Sequence, residues 1–332
     1  MNDIIGKKAV KKIKKLKDGE IILLDNVRLL DEESVEKKPE EHSKGLLVQT
    51  LAPLADFFVN DAFSASHRSH ASLVGFTSIM PSLVGRSTEN EIKSIRGVIE
   101  KMKTSKHDTF ILGGAKPDEP LNIMVHMLSE GTLEKVLVSG VIGNLFLIAY
   151  GYDLGKPTMK LLKQNGYLDY LPQVKELLKK YKSKIIVPLD VSIEVNKKRK
   201  EILVEELPVD SQIMDIGTRT IEKYTEIIMK SKNIVMKGPA GVYEKRGFEM
   251  GTRKLLESIK ASKGVSLVGG GHTLSALNNL KIDKNGFSNV SLAGGALIIY
   301  LSGKKLPALE ALRNCVNNDA SINKRCSPRE ID

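Results

Sequence analysis

Four glycine-rich turns are the feature of this sequence that points most directly to chemistry. Each follows a short apolar run, and they read GGAK at 113–116, GPAG at 238–241, GGGHT at 269–273 and AGGA at 293–296. Glycine lets a backbone approach a phosphate or a flat base, and helix N-termini offer free N–H groups to anions. One such turn often makes only a tight corner, but three or more at one sheet edge favour a nucleotide site. Neither GxxxxGK[ST] nor GxGxxG occurs, so we expect neither a Walker site nor a typical dinucleotide site.

Two arginines near the start of the chain are candidate anion ligands. Arg28 follows the apolar run 21–24, at the expected carboxyl end of a strand, and Arg68 lies between His67 and His70. A guanidinium is a fixed bidentate donor that suits a phosphate or a carboxylate. Taken alone, Arg28 is better interpreted as an ordinary surface arginine. The two histidines are spaced i, i+3 without a third candidate ligand nearby, so they do not indicate a metal site.

The elements that must position these residues alternate between apolar runs and helical segments. Predicted strands lie at 21–24, 57–60, 110–112, 135–138, 185–188, 234–236, 265–268 and 289–292. Several are almost continuously hydrophobic, as parallel strands covered on both faces are. Helix-length segments between them include 161–181, 218–231 and 251–262. This alternation predicts an α/β fold with a doubly wound parallel sheet, which binds ligands at the carboxyl ends of its strands.

The length and the pattern together predict two domains. A chain of 332 residues is long for one hydrophobic core. The segment 89–105 has the pattern of an amphipathic helix, and we expect it to join the domains. The stretch 31–44 is predicted to be a charged loop or a frayed helix, and 313–332 a polar tail.

Composition narrows the class of protein. Hydrophobic residues make up 41% and charged residues 27%, which is typical of a globular protein in water. No apolar run is long enough to span a bilayer, and the chain does not open with a signal peptide. The two cysteines, Cys315 and Cys326, both fall in the polar tail. That usage suits a reducing compartment, so we expect a cytoplasmic protein without a membrane partner.

The net charge of +11 is concentrated in a lysine-rich run between residues 7 and 17. Val10, Ile13 and Leu16 recur within it, which favours an amphipathic helix with a solvated basic face. The alternative is nucleic-acid binding, but no aromatic residues interleave the lysines and tryptophan is absent. We therefore expect no specific nucleic-acid partner. A positive excess also suits a protein that handles polyanionic small molecules.

Taken in order, these motifs resemble those of the phosphoglycerate kinase family from about residue 11 to residue 312. The matching segments are ILLDNVRLLDEE, FVNDAFSASHRSHAS, LGGAK, GVIGNLFLIAYGYDLG, VPLD, DIGTRTIEKY, GPAGVYE, GGGHT and VSLAGGALIIYLSGKKLPALEAL. The histidine in GGGHT and the DIGTRTIEKY segment are closest to the archaeal branch of the family.

The resemblance implies a fold and an activity. The fold would be two doubly wound, Rossmann-like α/β domains joined by a helix. Residues 1–88 would form an incomplete phosphoglycerate-binding domain, 89–105 the inter-domain helix and 106–312 a nucleotide-binding domain. The activity would be phosphoryl transfer between ATP and the carboxylate of 3-phosphoglycerate, in glycolysis and gluconeogenesis. It would use Mg2+ with ATP or ADP, and 1,3-bisphosphoglycerate would be the acyl phosphate.

Carried over position by position, the resemblance also implies site residues. Arg28 and Arg68 would hold the phosphoglycerate, with Asn60 and Asp61 in the supporting turn. The nucleotide would be bound by Gly113, Gly114, Lys116, Glu244, Gly270, Gly271, His272 and Thr273. The catalytic set would be Arg28, Lys116, Gly294 and Gly295, with Glu244 at the ribose. No protein ligand for a metal is implied. His272 stands where many members carry an aspartate near the metal, and histidine is a poor magnesium ligand.

The residues leave other interpretations open. Lys116 could be an exposed lysine at a helix start, and Glu244 could cap a helix. The implied chemistry needs no general base, because the acceptor is a carboxylate without a proton to remove. Catalysis would then rest on positioning and on neutralising negative charge.

The sequence also departs from the family pattern at both substrate sites. The family's first half-domain is missing from it. Pro120 stands where a second lysine is expected, Lys237 where an asparagine is expected, and Leu292 and Ala293 where a threonine and a glycine are expected. Three hypotheses therefore stay open: an active kinase, an impaired relative that binds ADP or ATP without efficient transfer, and a non-enzymatic binding protein that uses its basic surface.

Overall fold

The computed structural model describes residues 1–105, 107–131, 133–291 and 293–315. It divides into two compact units, one formed by Met1–Lys93 with the chain from Lys304 onward, the other by Ser94–Gly303. Leu292, Cys326 and most of the expected tail at 313–332 lie outside the described residues. The second unit begins twelve residues before the expected span 106–312, at Ser94, and it ends at Gly303, where the chain returns to the first unit.

The elements are as follows. The strands are β1 (Phe58–Asn60), β2 (Ser82–Val84), β3 (Asp108–Leu112), β4 (Lys135–Val138), β5 (Ile185–Ile186), β6 (Asp190–Val195), β7 (Lys198–Leu203), β8 (Ile213–Ile216), β9 (Asn233–Lys237), β10 (Val265–Gly269) and β11 (Asn289–Ser291). The α-helices are α1 (Lys7–Ile13), α2 (Pro39–His42), α3 (Leu46–Leu51), α4 (Ala71–Val74), α5 (Arg86–Thr104), α6 (Asp118–Ser129), α7 (Gly140–Tyr150), α8 (Lys156–Gln164), α9 (Leu171–Tyr181), α10 (Thr218–Lys230), α11 (Met250–Ala261), α12 (Gly271–Asn279), α13 (Gly294–Leu301) and α14 (Pro307–Arg313). No helix among these is long and apolar enough to cross a membrane.

The first unit is built on the parallel pair β1 and β2. Its main core consists of buried apolar residues from several short helices and turns, including Leu47, Val48 and Phe76. The helix α14 belongs to this unit because its alanines at 308 and 311 are buried against Leu73 and Val74 of α4.

The predicted strand at 21–24 is wrong. Ile21 and Leu23 are 94% and 83% exposed, and no strand of the described residues pairs with the segment. Its backbone has a partner outside any strand instead, since the carbonyl of Leu23 accepts from the terminal amine of Met1. A strand forms only where a neighbour completes its ladder. Arg28 consequently lies in the single 3-10 turn Val27–Leu29 and not at the end of a strand.

The basic run forms the expected helix in shortened form. α1 ends at Ile13, and its lysines are exposed while Ala9 is fully buried. The carboxylate of Asp3 accepts from the N–H groups of Gly6 and Ala9, both at 2.9 Å, and so caps the helix. The prediction of a solvated basic face is therefore confirmed for α1.

The second unit holds a six-stranded parallel sheet in the order β11-β10-β9-β3-β4-β5. The chain lays down β3, β4 and β5 towards one edge and then returns to add β9, β10 and β11 towards the other. This is the doubly wound sheet that the alternating pattern predicted, and its strand order reverses between β3 and β9. Every residue of β3 and β9 is buried, as the continuous apolar runs indicated. The segment 89–105, expected to be a helix, lies almost wholly within α5, whose first residues belong to the first unit and whose last residues belong to the second. That α5 joins two domains of the family stays a prediction.

A second, antiparallel sheet was not predicted. It has the order β7-β6-β8, and it packs with α7 and α8 around a core that includes Leu147, Leu162 and Val191. The helix predicted at 161–181 is two helices, α8 and α9, separated by Gly166 with φ of 71°.

Candidate functional site

The glycine-rich turns meet at the carboxyl edge of the six-stranded sheet, where β3 and β9 lie side by side. The N–H of Gly113 donates to the carbonyl of Lys237 at 2.9 Å, and the N–H of Gly114 donates to Pro239 at 2.8 Å. The N–H of Gly140, which begins α7, donates to Ala240 at 2.9 Å. Main-chain hydrogen bonds therefore join the turns after β3, β4 and β9 into one framework.

Two of the glycines are required by the closeness of this crossing. A Cβ on Gly113 would lie 2.3 Å from the carbonyl oxygen of Pro239. Gly238 has φ of 85°, and a Cβ there would lie 2.2 Å from the carbonyl oxygen of Gly113. No side chain fits between backbones at this distance, so the glycines follow from the fold before any ligand is considered.

A cavity of about 240 Å³ lies among these turns, and we call it the glycine-lined cavity. The helices α12 and α13 begin at it, with Gly271 and Gly294 as their first residues. The first N–H groups of a helix have no partner within the helix, and its N-terminal end carries partial positive charge. The lining residues are Gly114, Ala115, Lys116, Glu119, Lys237, Gly238, Gly270, Gly271, His272, Thr273, Gly294 and Gly295.

A second cavity of about 350 Å³ adjoins the first, and we call it the apolar cavity. The two share Gly114, Ala115 and His272 as walls. Side chains such as Val141 and Leu161 line the apolar cavity, and the exposed Glu244 lies at its rim. An apolar space next to a positively polarised one suits a molecule with a ring system at one end and phosphates at the other.

The structure therefore brings together most of the residues singled out in the second unit. Gly114, Lys116, Gly270, Gly271, His272, Thr273, Gly294 and Gly295 line the glycine-lined cavity, and Glu244 lines the apolar cavity. Gly113 lies behind them in the main-chain framework. The hydroxyl oxygen of Thr273 accepts from the N–H of Gly238 at 2.8 Å, so this buried side chain holds the turn.

The arginines lie apart from these residues in the chain, in the first unit. Arg28 is exposed and Arg68 half-buried, and neither guanidinium has a hydrogen-bond or ion-pair partner among the described residues. Asn60 is buried, where its amide donates to Leu73 at 3.1 Å and its oxygen accepts from Ala62 at 3.0 Å. It supports the turn that follows β1.

Asp61 and the histidines also have structural contacts. The carboxylate of Asp61 accepts from the N–H of Thr88 at 2.7 Å, which caps α5 and lowers the pKa of Asp61. One imidazole nitrogen of His70 lies 3.3 Å from a carboxylate oxygen of Glu36. Burial lowers the pKa of His67. In the part of the chain that the structure describes, no three His, Cys, Asp or Glu residues form a group able to hold a metal ion.

Sequence reasoning missed an ion pair in the wall of the glycine-lined cavity. Lys237, the last residue of β9, is buried, and its Nζ donates to Oε2 of Glu119 in the first turn of α6. Burial lowers the pKa of Lys237, while the carboxylate of Glu119 raises it. The only signal in the sequence was the unexpected lysine before Gly238.

A second polar group that the sequence did not indicate lies in the wall of the apolar cavity. Asp215 of β8 is buried, and one of its oxygens accepts from Arg199 and from the N–H of Gly251, both at 2.8 Å. Burial raises the pKa of Asp215 to about 6, although both of these partners act to lower it. The hydrogen bond from Gly251 to Asp215 joins the antiparallel sheet to α11 beside the cavity.

Comparisons with known proteins agree on one family. The family model for phosphoglycerate kinase matches residues 1–304. The phosphoglycerate kinase of Methanopyrus kandleri is 43% identical over 315 residues, covering 94% of this chain and 76% of that protein. That of Archaeoglobus fulgidus is 41% identical over 313 residues, with the same coverage of 94% and 76%. The resemblance stated from the motifs is confirmed, and both relatives are archaeal.

The solved structures give the same result. The phosphoglycerate kinase from Pyrococcus horikoshii OT3 matches with a TM-score of 0.88 at 37% identity, over 94% of this chain and 77% of that one. The enzyme from Coxiella burnetii matches with a TM-score of 0.74 at 29% identity, over 88% of this chain and 72% of that one. The chain thus spans about three quarters of the length of the relatives that it matches.

Proposed function

Because the chain belongs to the phosphoglycerate kinase family, we propose that it transfers a phosphoryl group between ATP and the carboxylate of 3-phosphoglycerate. The reaction belongs to glycolysis and gluconeogenesis, and we place it in the cytoplasm. The observation that carries the proposal is the pair of adjoining cavities at the reversal of strand order, one apolar and one bounded by two helix N-termini.

We assign the nucleotide to these cavities. The adenine and ribose occupy the apolar cavity, where Glu244 accepts a hydrogen bond from the ribose. The phosphates extend into the glycine-lined cavity, towards Lys116 and the first N–H groups of α12 and α13. The absence of side chains along the cavity wall supports this assignment, because phosphate oxygens can approach the N–H groups directly. The glycines that leave this backbone bare are Gly270, Gly271, Gly294 and Gly295.

We assign the phosphoglycerate to the first unit, with Arg28 and Arg68 as its ligands. Neither guanidinium has a partner among the described residues, and this supports the assignment, because a ligand anion would have no carboxylate from that part of the chain to displace. Asn60 holds the turn after β1, and Asp61 fixes that turn to the start of α5.

In this reaction the main task of the protein is to neutralise the negative charge of the phosphoryl group during its transfer. The acceptor carboxylate is already deprotonated, so no side chain needs to remove a proton. As the phosphoryl group leaves one oxygen for another, negative charge spreads over its three other oxygens. Lys116 and the N–H groups at Gly294 and Gly295 stabilise that charge, and each well-placed donor typically contributes about 10²-fold or more in rate.

Magnesium enters with the nucleotide in this proposal. The donor set fits that role, because the carboxylate in the wall, Glu119, is engaged by Lys237, and Mg2+ is commonly held by substrate phosphates and water. When bound, the ion neutralises part of the phosphate charge and orients the chain of phosphates.

A coupled assay tests the proposal. The chain should consume ATP in the presence of 3-phosphoglycerate and magnesium, and Lys116→Met should reduce that rate about a hundredfold. ATP consumption that does not depend on 3-phosphoglycerate, or that survives Lys116→Met unchanged, contradicts the proposal.

One observation favours the second candidate, a family member that binds ADP or ATP without efficient transfer. The first unit contains only β1 and β2 among its described residues, and Arg28 lies on an exposed turn. If this second candidate is correct, calorimetry should show that the chain binds magnesium-ADP, and the coupled assay should show no turnover.

A further inference from the structure

Lys237 is a buried cation in the wall of the glycine-lined cavity. It ends β9, the strand beside the reversal of strand order, and its side chain is 8% exposed. Burying an ion pair costs desolvation free energy, and well-packed apolar residues of the same volume often give equal or greater stability. Stability alone therefore gives no reason for a lysine at this position.

The ammonium of Lys237 has hydrogen-bonding capacity that the protein does not use. Its Nζ donates to Glu119, and no other described residue accepts from it. An ammonium carries three N–H donors, so two remain for a ligand. Glu119 itself is 33% exposed and fixed in the first turn of α6, so it can hold Nζ at the cavity wall.

The surroundings of Lys237 favour an anion. A Cβ on Gly270 would lie 3.6 Å from Cγ of Lys237 and 3.8 Å from its Cε, so the lysine stem runs beside the start of α12. The positive end of α12 and the ammonium therefore border the same space. Lys116 lines the same cavity as a second cation, and Asp118 is the other carboxylate close enough to affect the pKa of Lys237.

Two departures from the family pattern meet at this point. Pro120 follows Glu119 on α6, where the resemblance led us to expect a lysine, and Lys237 occupies the position of an expected asparagine. The lysine expected on α6 is absent, and an unexpected lysine, Lys237, lies at the end of β9, where it forms the ion pair with Glu119. The cavity therefore has two cations in its wall, Lys116 and Lys237.

We propose that Lys237 binds the phosphate groups of the nucleotide, as the second cation beside Lys116. This inference rests on the proposed function, because it presumes that a nucleotide occupies the two cavities. The two spare N–H groups of Lys237 donate to oxygens of the outer phosphates, while Glu119 keeps the ammonium at the wall. A ligand with a single phosphate, next to the ribose, gains little from Lys237.

The test compares the dissociation constants of AMP and magnesium-ADP, measured by calorimetry, for the wild type and for paired variants. Lys237→Met combined with Glu119→Gln removes both charges without leaving a buried carboxylate unpaired. We expect this variant to bind ADP about tenfold to a hundredfold more weakly, with AMP affinity unchanged within about threefold. Glu119→Gln alone keeps the cation and removes a competitor for it, so ADP affinity should be retained or rise.

Lys254 and Glu257 provide a matched control on α11. They form an exposed ion pair with Nζ and Oε2 2.9 Å apart. Lys254→Met with Glu257→Gln removes the same two charges, and the ratio of the AMP and ADP dissociation constants should stay at the wild-type value.

The outcomes separate the inference from the proposed function. An unchanged ratio in the Lys237→Met, Glu119→Gln variant overturns the inference and leaves the nucleotide site standing. The inference is also overturned if Glu119→Gln alone loses as much ADP affinity as the double variant. In that case the ion pair would support the shape of the cavity, and the ammonium would not bind phosphate. A wild type that binds neither nucleotide overturns both. If the melting temperature shows that the double variant does not fold, Lys237→Gln takes its place, because its amide can still bond Glu119.

Discussion

Gly271→Ala separates the phosphate-binding role of the glycine-lined cavity from its role in folding. Gly271 is the first residue of α12 and lines the cavity. A Cβ added there meets no heavy atom within 4 Å, and its φ lies outside the left-handed region. The methyl group would therefore occupy space that the protein leaves open and that we assign to phosphate oxygens.

The expected magnitudes follow from this geometry. Stability should change by less than about 1 kcal/mol, because no atom has to move and alanine is the better helix former. A phosphate kept away from the first turn of α12 loses one or two charge-assisted hydrogen bonds, each contributing about 1.5–3 kcal/mol. Affinity for magnesium-ADP should then fall at least about tenfold.

Gly238→Ala is the matched comparison in the same framework. Its φ of 85° and the 2.2 Å approach to the carbonyl oxygen of Gly113 both oppose a side chain. The left-handed conformation alone costs about 1–2 kcal/mol, and separating the two backbones strains the hydrogen bonds between the turns. Thermal melts should therefore show a clear loss for Gly238→Ala and almost none for Gly271→Ala. Wild-type ADP affinity in Gly271→Ala would refute the assignment of phosphates to this cavity. A melting temperature lowered as far as in Gly238→Ala would refute the account of open space.

Three further predictions concern other parts of the chain. Asp215→Asn should change the pH dependence of stability. Burial raises the pKa of Asp215 from 3.8 to about 6. The protonated carboxyl of the wild type therefore contributes its full stability below about pH 4, and this contribution is lost as the pH rises through 6. The stability of the variant relative to the wild type should therefore grow between pH 4 and 7, by up to about 3 kcal/mol, and a constant difference in chemical denaturation contradicts this. Gly97→Ala should raise the free energy of unfolding by about 0.5–1 kcal/mol, because a Cβ at this position within α5 meets nothing within 4 Å; a urea titration without an increase counts against it. Arg28→Ala and Arg68→Ala should each weaken 3-phosphoglycerate at least about tenfold while the dissociation constant of magnesium-ADP stays unchanged; a loss of ADP affinity in either would contradict the assignment of substrates.

The parallel sheet of the second unit could be predicted from the sequence because its strands are buried on both faces. The run at 135–138 coincides with β4, and those at 234–236 and 265–268 lie within β9 and β10. Strands of this kind carry their signal in their own residues. The glycine-rich turns after them then mark the ligand edge, since the carboxyl ends of parallel strands meet there.

The antiparallel sheet could not be predicted in the same way. β7 reads KRKEIL, and most of its residues are charged because one face meets water. Its link to β6 is the pair Asn196 and Lys197, with φ of 51° and 61°, a two-residue hairpin turn that usually carries glycine at the second position. The run at 21–24 shows the reverse error, because its residues are strand-like but no strand in the described part of the chain pairs with them.

The sequence predicts the part of the candidate site that consists of glycine-rich turns and exposed charged side chains. Lys116 and the four turns were found because their spacing after strands is visible in the sequence. The ion pair of Lys237 with Glu119 joins residues 118 positions apart, and only the fold brings them together. The same holds for Asp215 and Arg199, whose burial depends on the unpredicted sheet.

A crystal structure with magnesium-ADP tests the central claim most directly. The account predicts adenine density in the apolar cavity, the ribose beside Glu244, and the two phosphates in the glycine-lined cavity against the first turn of α12. Nucleotide density at any other place, or empty cavities at a saturating concentration of magnesium-ADP, would contradict it.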